Sequence, residues 1–254
     1  KWAWQHVDGV KPPANKYAQL GTNVHKTIEH YLTTGTSPSL STREGQIAYS
    51  GLKHLPPPSP ELRVEHEARF ELEGVEYLGY IDLHYSEQID NIVLVSGGHE
   101  AVAERRIVVV DQKTSTDIDK WAKTEAELFT DPQRIIYSAW ATIAYGAQRV
   151  RTRWVYYQSR PPYKSNVVEL EQTREEIWHA MDGIHVDARA IVRARDRPSS
   201  ERERNYQACH AYGGCPFMER CHTGLSPGTR MMSALAQADR AMRARDEAAS
   251  VPRE

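Results

Sequence analysis

The chain has 254 residues, with 32 Lys and Arg against 34 Asp and Glu, for a formal charge of −2 with histidine neutral. At 40% hydrophobic and 26% charged, with 15 Gly and 14 Pro, it is an ordinary globular composition and not a collagen-like or low-complexity one. No apolar run approaches the roughly 20 residues that span a bilayer, so an integral membrane protein is not expected, and any nucleic-acid partner must use a local basic patch because there is no global positive field.

Lys1-Trp2-Ala3-Trp4-Gln5-His6 lacks both the apolar core of a signal peptide and an initiating Met. The expectation is a cytoplasmic protein with residues upstream; its alanine and arginine content suits a bacterial or phage genome. Leu20, Val24, Ile28 and Leu32 recur at helical spacing, with Thr22 as N-cap and Gly35 as the stop. A helical patch from Gly45 to His54 then runs into Leu55-Pro56-Pro57-Pro58-Ser59-Pro60, a stiff connector. From Glu61 to Glu73 the residues alternate: Leu62, Val64, His66, Ala68, Phe70 and Leu72 are predicted to face one way and the charged residues the other. Gly74 turns this strand into a second, Val75 to Tyr85, as an antiparallel hairpin.

A third strand is predicted over Ile89 to Val95, and a fourth over Arg106 to Lys113, whose Ile107-Val108-Val109-Val110 run suits a strand buried on both faces. Asp131-Pro132 opens a helix that ends at Gly146. Arg149 to Gln158 is a fifth strand, and Thr173 with Glu176 caps a helix towards Arg195. An Ala/Arg/Met-rich helix from about Thr229 to Ala249 closes the chain. The order reads as α/β, a mixed central β-sheet flanked by helices. Its expected organisation is an N-terminal helical region (1–60), a core (61–200), a cysteine segment (201–225) and a terminal helix (226–254).

The fourth strand ends in Asp111-Gln112-Lys113. Alternation puts Asp111 and Lys113 on one face, roughly 6–7 Å apart along the strand. A carboxylate there can hold a hard divalent cation, and an ammonium beside it can orient or stabilise an attacking hydroxide. Asp82, in Gly79-Tyr80-Ile81-Asp82, adds a second carboxylate if its strand neighbours the fourth. Each motif alone also has a plain structural reading: a strand terminus, a solvated lysine, an edge aspartate. His25 with Glu29, and Gln133 with Tyr137, are i, i+4 pairs on helix faces. Glu65 and Glu67 lie on the acidic face of the first strand, and at least one of them is expected simply to face solvent.

Cys209, Cys215 and Cys221 are the only cysteines. An odd, clustered set without a secretory signal suits metal or cofactor ligation better than disulfides. A Zn²⁺ site completed by His210, His222 or His6 is chemically acceptable.

Taken in order, Gly21-x-x-x-His25, Gly79-x-Ile81-Asp82, Asp111-x-Lys113 and Gln133-x-x-x-Tyr137, with the trailing cysteines, resemble the RecB-type branch of the PD-(D/E)XK nuclease superfamily. That branch includes the CRISPR-associated adaptation nucleases and the AddB nuclease domain, and the resemblance covers about Lys1 to Cys221. It implies a restriction-endonuclease-like core in which Asp82, Asp111, His25 and the backbone carbonyl of Gln112 would ligate Mg²⁺ or Mn²⁺. Lys113 would be the catalytic lysine, while Gln133 and Tyr137 would border the site and contact the DNA strand. Cys209, Cys215 and Cys221, with a fourth cysteine expected upstream of Lys1, would hold a structural [4Fe–4S] cluster.

The activity implied is an exonuclease acting on single-stranded DNA or duplex ends in recombination, repair or phage DNA processing. A recombination or helicase partner protein would accompany it, and no membrane. A structure-specific or restriction-like endonuclease and a catalytically silent DNA-binding subunit are the alternatives; retention of all six motif residues speaks against decay. Arg149, Arg151 and Arg153 with Trp154, Tyr156 and Tyr157, and Lys1 with Trp2 and Trp4, combine charge and rings as candidate strand contacts.

Overall fold

The structure, a computed structural model, describes residues 16–95, 98–198, 201, 215 and 218. The N-terminal Trp patch, Cys209, Cys221 and the predicted terminal helix lie outside the described residues. Asn15–Ala190 forms one compact unit, and Lys1–Ala14 with Ile191–Glu254 forms a second. The sheet belongs to the first.

Two helices, α1 (Lys16–Thr34) and α2 (Arg43–Gly51), precede the hairpin strands β1 (Arg63–Leu72) and β2 (Val75–Val95). Strand β3 (Gly98–Ser115) leads through α3 (Ile118–Trp121), α4 (Glu125–Phe129) and α5 (Pro132–Tyr145) to β4 (Arg149–Gln158), β5 (Ser165–Thr173) and α6 (Arg174–Arg195). The sheet is mixed, in the order β1-β2-β3-β4-β5. Only β3 and β4 pair in parallel, and the α3–α5 segment is the long crossover that a parallel pair needs. Among the described residues no helix is long and apolar enough to cross a membrane.

Local chemistry explains the element ends. Glu73 and Gly74 both have positive φ, 46° and 78°, as a tight two-residue hairpin turn requires. The strained Glu73 is held by its carboxylate, which His185 and Arg189 of α6 approach to 3.2 and 3.4 Å. Asp131 caps α5 by accepting from the Arg134 N–H, and Thr173 and Glu176 form the expected reciprocal cap on α6. Gly146 ends α5 at φ 63°.

Helices α1 and α2 cover one face of the sheet: Val24, Ile28, Leu32 and Ile47 pack with Leu83, Tyr85, Val108, Val110, Val155 and Tyr157. On the other face Trp140 of α5 meets the rings of His66 and His84. The run Ile107–Val110 is buried between them, as its composition predicts.

Several expectations are corrected. Helix α1 starts at Lys16, so Thr22 is not an N-cap; mid-helix, its hydroxyl donates to the Ala18 carbonyl instead. The predicted third strand is the continuation of β2, whose ladder with β3 runs without a break from Leu83 to Val95. Strand β5 and the short helices α3 and α4 were not anticipated. The basic stripe of β4 is answered by β5: the register sets Arg151 opposite Glu171 and Arg153 opposite Glu169. Those guanidiniums are ion-paired at 3.0 and 2.6 Å, and Trp154, Tyr156 and Tyr157 are core residues.

Candidate active site

The site forms where α1, β1, β2, β3 and α5 converge. Gly21 lets α1 approach the end of β3, since a Cβ there would lie 2.8 Å from the Thr114 hydroxyl oxygen. One turn on, His25 Nδ1 comes within 3.6 Å of Asp82 Oδ1, while Val24 and Ile28 beside it anchor the helix in the core.

The hairpin changes phase at this point. Leu62 and Val64 pack on the α1 side, but His66 touches Trp140 of α5 and Phe70 stacks on Tyr77. The uniform alternation read from the sequence is therefore wrong across Glu65. Its cause is the left-handed backbone of Glu65 at φ 50°, where the ladder skips from Val64↔Leu83 to His66↔Ile81. Strand β2 mirrors it: Gly79 lies against Tyr137 of α5, whereas Leu83 belongs to the α1-side core. The re-phasing brings Glu65, His25 and Asp82 together, with one ligand atom of each within 4.8 Å of the others. Glu67 takes another course and pairs with Arg69. The sequence left these two glutamates undistinguished, and nothing in a strictly alternating strand marks one of them for a positive φ.

Pairing of Leu83 with Val110 sets Asp82 beside the Asp111 strand, as the second-carboxylate reading required. Asp82 Oδ2 accepts from the Gln112 N–H at 2.6 Å. Asp111 and Lys113 share a face, with Lys113 Nζ 2.6 Å from Asp111 Oδ2. Gln133 ties the pair to α5: its Nε2 donates to Asp111 Oδ1 and to Tyr137 Oη, both at 3.0 Å, and its Oε1 accepts from Lys113 at 3.1 Å. Tyr137 Oη in turn donates to the Tyr80 carbonyl at 2.6 Å. Gly79 is required here because a Cβ would lie 2.5 Å from Tyr137 Cε1.

Electrostatics follow from crowding three carboxylates into a partly buried cluster. Burial pushes the Asp111 carboxyl up to about 6, against the pull of Lys113 and with the repulsion of Asp82. Burial and then the Asp82 charge raise Glu65. For His25 and Lys113 burial acts downward, but neighbouring carboxylates outweigh it and both are raised: Asp82 foremost for His25, Asp111 for Lys113. Excess negative charge of this kind is what a cation relieves.

The residues fit a hard divalent ion. Apart from its contact with Lys113, the buried Asp111 Oδ2 receives no hydrogen bond among the described residues. Carboxylate oxygens with one imidazole suit Mg²⁺ or Mn²⁺ better than a soft metal. Of the sequence-derived set, His25, Asp82, Asp111, Gln112, Lys113, Gln133 and Tyr137 are brought together. Cys215, half-buried and free, lies in the other unit.

Comparison with known proteins places this geometry in context. The family model for the PD-(D/E)XK nuclease superfamily matches residues 1–222. No curated protein matches. A similar solved structure is that of a protein titled "Putative exonuclease" from Eubacterium rectale, with 12% identity and a TM-score of 0.49, covering 89% of this chain and 80% of that one. The family match takes in both strands and both helices that carry the motifs, and the chain belongs to the PD-(D/E)XK nuclease superfamily.

Proposed function

We propose that this protein is a divalent-metal-dependent deoxyribonuclease of the RecB-type branch, acting as an exonuclease on single-stranded DNA or duplex ends. The observation that carries this reading is the convergence of Asp82, Asp111, Lys113, Gln133 and Tyr137 in one hydrogen-bonded cluster, with His25 and Glu65 at its border.

Asp82, Asp111, His25 and Glu65 would hold Mg²⁺ or Mn²⁺, the ions typical of the superfamily. A bound ion supplies a Lewis acid and a water of lowered pKa. The Lys113 ammonium, fixed between Asp111 and Gln133, is placed to donate to charge developing on an attacked phosphate. Gln133 orients both charged partners, and Tyr137 locks the β2 backbone beside Asp82. The Gln112 main chain contributes through its N–H to Asp82, which steadies that carboxylate.

The cysteines are proposed to form a separate structural centre. Three thiols with His210, His222 or His6 would make a full zinc set, whereas a [4Fe–4S] cluster needs a fourth thiolate; iron and zinc analysis of the purified protein decides between them.

End-labelled linear and closed circular DNA, each incubated with Mg²⁺, Mn²⁺ or EDTA, tests the activity. Metal-dependent loss of linear DNA alone is expected. Cleavage of circles supports an endonuclease instead, and no cleavage of any substrate supports a DNA-binding subunit.

A further inference from the structure

We infer that Tyr80 is the platform on which an unpaired base next to the scissile phosphate stacks, and that it makes this site select single strands over duplex. The inference rests on the nuclease reading above and names the strand form that the site takes.

Tyr80 is 56% exposed in the middle of a β-strand, two residues before Asp82. Among the described residues its hydroxyl makes only a long bond, 3.3 Å, to Glu67. A large ring left in water on a strand contributes little to the fold. Its direction is set by its neighbour: Gly79 abuts Tyr137 of α5, so alternation turns Tyr80 to the opposite side of the sheet, the side that α1 covers further along β2. Along β2 its Cα stands two residues, about 7 Å, from that of Asp82. Its main chain is held, because the Tyr80 carbonyl accepts from Tyr137 Oη, itself bonded to Gln133. The backbone that carries the ring is therefore tied to the Gln133 network that holds Asp111 and Lys113. Leu78, two residues further on the same side and 51% exposed, extends the apolar stripe away from the site.

The charges around the stripe decide which strand form fits. Glu67 pairs with Tyr80 across the hairpin, Glu71 pairs with Glu76, and Arg69 is already engaged by both Glu67 and Glu76. A single strand can turn its phosphates towards Lys113 and the bound cation while laying a base on Tyr80. A duplex brings a second sugar-phosphate backbone over these carboxylates, where it is repelled. Ring stacking tolerates any base, so no sequence preference follows.

The test is binding of a fluorescent single-stranded oligonucleotide and of its duplex, by anisotropy with Ca²⁺ in place of the catalytic ion. The partner assay is cleavage of the same DNAs in Mn²⁺. Tyr80→Ala is expected to weaken single-strand binding about tenfold, within the range for one stacked base. Duplex binding should stay constant, and the cleavage defect should fall in KM and not in kcat. Tyr80→Phe, which keeps the ring, should restore the single-strand affinity. An abasic site walked along the oligonucleotide should weaken wild-type binding about tenfold at one position and leave Tyr80→Ala insensitive there. Equal losses on single strand and duplex, no sensitive abasic position, or no binding of DNA overturns the inference. Binding that behaves as expected without cleavage in any metal overturns the nuclease reading and leaves the Tyr80 platform standing.

Discussion

Replacing Gln133 by Leu removes three hydrogen bonds at one stroke while nearly keeping the side-chain volume. Gln133 is the only contact seen that links Asp111, Lys113 and Tyr137 across β3 and α5 among the described residues. The Asp111–Lys113 ion pair survives the change, so the cluster does not lose its charge balance. What is lost is direction: Asp111 Oδ1 becomes a buried acceptor without a partner, at a cost of about 1–3 kcal/mol. Lys113 and Tyr137 also regain rotamer freedom. Groups that orient metal ligands from behind typically cost 10–100-fold in metal affinity or activity when removed. A drop of about 30-fold in kcat at saturating Mn²⁺ is therefore expected, with KM for linear DNA changed by less than about threefold. Steady-state cleavage of end-labelled DNA measures both, and a thermal melt shows that the variant is folded. A folded Leu variant with kcat within threefold of the parent would refute the positioning argument.

Three further outcomes follow from the same structure. Glu65→Gln keeps the hairpin but weakens the acidic cluster beside His25 and Asp82, so the Mn²⁺ concentration for half-maximal activity should rise about tenfold; an unchanged metal titration removes Glu65 from the site. Arg134 is buried and donates to the carbonyls of Leu128 and Phe129 and to Gln172. Arg134→Leu should lower stability by about 3 kcal/mol in urea unfolding, and a loss under 1 kcal/mol contradicts that role. His54 is held below its ordinary 6.5 by burial, then by Lys53 and Arg153. Just below pH 6.5 the unfolded chain therefore binds more protons than the folded one. Its contribution is complete above pH 6.5 and is lost as the pH falls through that value towards the lower folded pKa. His54→Gln should flatten part of that slope in melts between pH 5 and 7, and parallel profiles would exclude it.

What the sequence made legible was whatever local chemistry decides. The Glu73-Gly74 turn, the Asp131-Pro132 cap and the Thr173/Glu176 box each draw on neighbours within a few residues, and each stands in the structure. The D-x-K strand was legible because Ile107–Val110 is apolar on both faces and Asp111 follows directly. Gln133 and Tyr137 were legible as one helix face. The rest depended on partners far along the chain. Strand β5 reads as polar because its glutamates answer the arginines of β4, a pairing visible only once the register is known. Likewise, Ile89–Val95 reads as a separate strand because Ser86, Glu87 and Gln88 interrupt the apolar pattern, yet a continuous ladder with β3 carries the backbone through them. The phase change at Glu65 contradicts a perfect alternation, and glutamate seldom takes a positive φ. It is also where the acidic cluster is assembled, a local rule broken at a candidate functional position.

The central claim is that the Asp82–Asp111–Lys113 cluster cuts DNA with a divalent ion. The most direct measurement is cleavage of end-labelled linear DNA by the parent and by Lys113→Ala, with Mn²⁺ and with EDTA. The expected result is cleavage by the parent in Mn²⁺ only, and a loss of about a hundredfold or more in the variant, the scale for removing one group that stabilises the transition state. Cleavage that persists in EDTA, or a folded Lys113→Ala protein as active as its parent, would contradict it.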